Sequence, residues 1–135
     1  MEFNSFDVLL KSVIADIELK KTDKTNPSGI AHANSLIASG DVITPSTWNH
    51  PTTQEENDYI DANSIEEYGK WHLGINSQAD PSSKDHYHYV YTSDYKNVDR
   101  AGLIAIRQRS AQQGLDAVFS AAGKMLDKID AKSND

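Results

Sequence analysis

The chain contains no cysteine, so a disulfide framework, thiolate zinc sites and cysteine nucleophiles are excluded together. Long apolar runs are missing as well. Nothing approaches the roughly 18 consecutive apolar residues that read as a membrane span, and the first residues, Met1 to Asp7, lack the basic and then apolar pattern of a secretory signal. The expectation is a cytoplasmic protein that does not enter a membrane. The seven glycines are scattered, so no glycine-rich phosphate loop is present. Positive charge is absent between Lys24 and Lys70, a stretch that holds Asp41, Glu55, Glu56, Asp58, Asp61, Glu66 and Glu67. With a formal net charge of -7 and a sequence pI near 5.1, that stretch would repel a phosphate backbone, which disfavours nucleic acid as the principal partner.

What is present suits one ordinary domain. A chain of 135 residues buries about two-thirds of its unfolded surface, so neither a metal nor a disulfide is needed for folding. Hydrophobic residues at 38%, charged residues at 24% and a mean hydropathy of -0.61 describe a globular chain with a small core and long polar loops.

Phe6, Leu9, Leu10, Val13, Ile14 and Ile17 recur at steps of three and four, which predicts an amphipathic helix over residues 4–20 whose stripe must dock on the domain or on another protein. Residues 1–22 form this first unit. The main unit is expected over residues 26–131, followed by a polar, frayed tail at 132–135. After a polar connection at 22–25, Asn26-Pro27 opens a helix to Ser39 with Gly40 as its stop. His32 in that helix has no second ligand one turn on and reads as structural or exposed. Thr52-Thr53-Gln54-Glu55 matches a capping box for a helix over 53–63, with Ser64 to Tyr68 as a further turn or short helix. Trp48, alone in a polar stretch, reads as a plug folded onto the core. Further helices are expected over 98–112, ended by Gly114, and over 116–130.

Between them, residues 70–75 and 86–91 alternate with a period of two and are rich in aromatics, predicting two short strands joined by a polar loop as an antiparallel hairpin. On such a strand His86 and His88 share one face, and Tyr87, Tyr89 and Tyr91 the other. The predicted architecture is α+β: a mostly helical single domain, with several helices packed on a small antiparallel β-hairpin.

Three chemistries compete for this region. Trp71, Tyr87, Tyr89 and Tyr91 suggest an aromatic surface for a protein partner or for self-association. His86 and His88, completed by His72, Asp85 or Asp94, suggest a divalent metal and metal-dependent hydrolysis, although an exposed strand face explains the two histidines as well. Arg100, Arg107 and Arg109, with Lys96, form a basic cluster that a nucleic-acid module would use, diluted by Asp94 and Asp99 and equally read as a solvated helix face. No Gly-x-Ser-x-Gly elbow frames any serine, and the paired carboxylates of residues 55–67 read as a solvated helix face. No catalytic signature emerges, so the protein is expected to be non-enzymatic and to carry no cofactor.

The runs Ala33 to Val42, Tyr68-Gly69-Lys70-Trp71-His72-Leu73-Gly74-Ile75 and Gly102 to Leu126, together with Trp48, resemble small uncharacterised bacterial and prophage proteins, similar to segments found with tailed-phage head-maturation proteases. The resemblance covers residues 30–130 and leaves the first helix outside. It implies a phage-related or accessory-genome origin and an assembly role through a protein partner, with no catalytic residue to carry over. In those relatives the tyrosine strand is preceded by Lys or Arg and continues into Pro-Phe or Pro-Tyr-Gly. Here His86 and His88 stand in it and Val90-Tyr91-Thr92 replaces the proline turn, so a metal site is not implied by the family.

Overall fold

The computed structural model describes residues 23–133; the helix expected over 4–20 lies outside the described residues. The chain order is β1 (Asp23–Thr25), α1 (Pro27–Ser39), β2 (Val42–Ile43), α2 (Thr53–Ala62), α3 (Ile65–Gly69) and β3 (His72–Asn76). A 3-10 turn (Lys84–His86), β4 (Tyr87–Val90), β5 (Val98–Asp99), α4 (Arg100–Gln113) and α5 (Asp116–Ser133) follow. The fold is α+β: among the described residues, five helices pack with a small antiparallel sheet in the order β1–β3–β4. The predicted hairpin is present, with His72 opposite Val90, Gly74 opposite His88 and Ile75 opposite Tyr87. Three strands carry no period in the sequence. The polar residues Asp23 to Thr25 add β1 to the free side of β3, so the sheet begins before residue 26, and β2 pairs in parallel with β5.

Helix ends follow the local chemistry. Gly40 closes α1 with φ 80°, donating its amide back into the last turn, a left-handed conformation that costs glycine nothing. Thr52 and Glu55 form the reciprocal capping box at the start of α2. Asp99 accepts the amides of Ala101 and Gly102 at the start of α4. Helix α5 runs to Ser133, and Lys132 Nζ donates to the carbonyls of Ile37 and Ala38 at the end of α1, both at 2.8 Å.

Helix α5 packs against α4, α1 and the strands β1 and β3. Ile37, Leu73, Leu103, Val118, Ala122 and Met125 are among the residues that form the core, which Trp71 and Tyr91 join. Trp71 donates from Nε1 to Tyr59 Oη at 3.0 Å and meets the half-buried His32 edge-on at 4.6 Å. Tyr91 is wholly buried and donates to the Lys70 carbonyl.

Candidate functional site

A cleft of about 640 Å³ opens between β4 and α4. Tyr87, His88, Tyr89 and Val90 form one wall; Gly102, Ala105, Ile106, Arg109 and Gln112 form the other, and Trp48 and His50 close one end. Glycine makes the closure possible. A Cβ on Gly102 would lie 2.5 Å from Trp48 Cζ3, so the half-buried indole rests directly on the backbone of α4.

The β4 wall departs from simple alternation. Tyr89 has φ 66°, a left-handed conformation uncommon for a bulky residue, and its ring covers Gly74, where a Cβ would meet Tyr89 Cδ2 at 2.7 Å. Gly74 is the cross-strand partner of His88, so Tyr89 and His88 occupy the same face of the sheet. The expected separation of imidazoles from phenols is thereby corrected. Tyr89 Oη donates to Gln113 on α4, tying the two walls together, and burial raises its phenol to about 12.

His88 Nδ1 lies 2.9 Å from Asp23 Oδ2 on β1, an ion pair whenever the imidazole is protonated. His86 is not on the strand with it. It ends the 3-10 turn, with Nδ1 2.9 Å from the Ala79 carbonyl, so the two imidazoles expected on one face take unrelated partners. His72 is 2% exposed and donates from Nδ1 to the Tyr68 carbonyl at 2.9 Å. Desolvation lowers its pKa to about 3, which keeps it neutral at physiological pH. Among the described residues no group of three or more His, Asp or Glu side chains is arranged to hold a metal ion. Tyr68, above His72, donates to Glu56 Oε2 at 3.2 Å, and burial followed by the Glu56 charge pushes its phenol well above the ordinary range.

The arginine cluster is dispersed. Arg100 makes a bidentate pair with Asp130 of α5 at 2.9 and 3.1 Å, and Arg107 lies 4.9 Å over the ring of Phe119. Only Arg109 of the three lines the cleft, and it makes no ion pair among the described residues. Of the four aromatics expected at a partner surface, Trp71 and Tyr91 are buried in the core and unavailable, while Tyr87 and Tyr89 are half-buried in the cleft wall. Sequence reasoning did not place Asp23, His50, Glu56 or Gln112 and Gln113 at the site. Only a helical-wheel reading of residues 102–113 anchored on the cleft would have aligned Arg109 with the glutamines.

Comparison with protein-family models, with curated proteins and with solved structures finds no match to the chain. No helix of the described residues is long and apolar enough to cross a membrane.

Proposed function

We propose that the protein is a small, non-enzymatic binding or assembly protein whose cleft between β4 and α4 receives a segment of a partner polypeptide. The carrying observation is the composition of that cleft. Two aromatic rings of β4 and the indole of Trp48 face the amides of Gln112 and Gln113 and the guanidinium of Arg109, a surface that offers apolar area and polar tips at once. The carboxylates in it are already matched, Asp23 by His88 and Glu56 by Lys84.

Side-chain insertion is favoured over strand addition. β4 is an edge of the sheet, but the left-handed Tyr89 interrupts its extended backbone, and β1, the opposite edge, has three residues. Short and kinked edges resist pairing with another strand, so an inserted helix or side-chain cluster suits the cleft better.

A photo-crosslinking residue placed at Tyr87, and in parallel at Lys124 on the exposed side of α5, tests this in the native cell. A discrete heteromeric adduct from position 87 and none from 124 is the expected result. Equal labelling from both positions, or only uncoupled monomer from both, would overturn the reading.

A further inference from the structure

The geometry points to an acidic amphipathic helix as the partner segment that the cleft receives, with an apolar anchor packed beside Trp48 and an Asp or Glu carboxylate brought to Arg109. This rests on the reading of the cleft as a polypeptide site and adds the chemistry of its occupant.

The α4 wall is graded from apolar to polar. Gly102, Ala105, Ile106, Arg109, Gln112 and Gln113 follow one another at steps of three, one and four residues along a single stripe of the helix. Trp48 is seated at the first of them, Gly102, and together with the half-buried Ala105 it makes one end of the cleft apolar. The other end is rich in donors. Tyr89 donates to Gln113 Oε1, which occupies the amide oxygen and leaves the Gln113 Nε2 hydrogens for an acceptor. A segment that fills both ends therefore needs an apolar side chain at one and acceptor oxygens at the other.

Charge selects the acceptor. Asp23 lies 2.9 Å from His88 and Glu56 lies 3.0 Å from Lys84, so the carboxylates of the cleft have partners. Arg109 lines the same cleft, is exposed, and makes no ion pair among the described residues. Its guanidinium fork matches a carboxylate in bidentate geometry, as Arg100 does on Asp130. A basic partner would instead set like charges together and leave the glutamine donors without acceptors. The net charge of -7 does not draw an acidic partner from a distance, so the carboxylate acts at contact.

Spacing sets the motif. Gly102 and Ala105 precede Arg109 by seven and four residues, about 10 and 6 Å along α4. A partner helix lying along α4 offers the same separations between residues seven and four apart on one face. Antiparallel alignment opposes the two helix dipoles and puts the acid toward the N-terminus of the partner helix, where a carboxylate is favoured. The motif is an Asp or Glu four or seven residues before an aromatic or aliphatic anchor.

Selection of a displayed library of randomised helical peptides on the full chain, on Arg109→Glu and on Trp48→Ala tests this. Peptides enriched on the native chain should carry the acidic residue at those positions, lose about three- to tenfold in affinity on Arg109→Gln, and give way to Lys or Arg there when Arg109→Glu is the target. Arg109 is exposed, so neither replacement disturbs the core. Binding should be lost on Trp48→Ala, or on Ala105→Glu should that variant not fold. Peptides that need Trp48 but are neutral or basic at those positions, or that bind Arg109→Glu unchanged, would overturn the acidic occupant and leave the cleft reading in place. Equal enrichment on the native chain and on both cleft variants, or none above background, would overturn the two together.

Discussion

The side-chain amide of Asn26 donates to the carbonyl oxygen of His72 at 3.1 Å and to that of Gly69 at 2.9 Å, while the Asn26 backbone amide donates to Leu73. One residue at the start of α1 thus holds the turn that leads from α3 into β3. Its side chain does not cap its own helix; the amide spans 46 residues of sequence instead.

Asn26→Ala leaves two buried carbonyls short of a donor, and an unsatisfied buried polar group costs about 1–3 kcal/mol. A loss of about 2–4 kcal/mol in urea unfolding is therefore expected. Gly29→Ala, one turn further on, acts on the same contact by crowding: its Cβ would fall 1.8 Å from the His72 oxygen, so α1 must shift. Overpacking costs about 1–3 kcal/mol, which exceeds the gain of about 0.5–1 kcal/mol that alanine brings to a helix interior. Net destabilisation by Gly29→Ala is the expected outcome, and a neutral result would show that α1 moves freely on β3.

The buried His72 makes stability depend on pH. Its folded pKa is lowered from 6.5 to about 3, chiefly by desolvation, so the unfolded chain binds the proton more readily. Above pH 6.5 both states are neutral and the residue contributes no slope. As pH falls from 6.5 toward 3, stability drops by up to about 1.4 kcal/mol per pH unit. His32, also lowered by burial, adds in the same direction. Urea midpoints measured between pH 7 and pH 4 should fall in the native protein and fall less steeply in His72→Gln. Parallel profiles would show that other groups set the acid limb.

Gly102→Ala tests the seat of Trp48. The added Cβ would meet Cζ3 at 2.5 Å, and since the indole is half-buried at the cleft end it can move outward. The helix gain of about 0.5–1 kcal/mol then offsets most of the lost packing. Stability is expected to change by about 1 kcal/mol or less, while tryptophan emission shifts to the red. In a Trp48→Phe background, where only Trp71 emits, the shift should vanish. Its persistence would place the perturbation in the core.

Much of this architecture is legible in the residues because it rests on short-range physics. The capping box at Thr52, the left-handed stops at Gly40 and Gly114 and the apolar periodicity of α5 set helix limits within the turn that contains them. The period of two around Trp71 and Tyr89 sets the hairpin. Such signals need no knowledge of distant partners. What the tertiary structure alone decided depends on contacts far apart in the chain. Asp23 to Thr25 becomes a strand only because β3 has a free side. Trp71 and Tyr91 belong to the buried core, and Tyr89 turns onto the His88 face, where Gly74 leaves room for its ring. His86 and His88, two residues apart, part company where a 3-10 turn gives way to the strand. The cleft joins Asp23, Trp48, His88 and Arg109 from four separate segments, a proximity that no local periodicity encodes, since it is set by how α4 packs across β4.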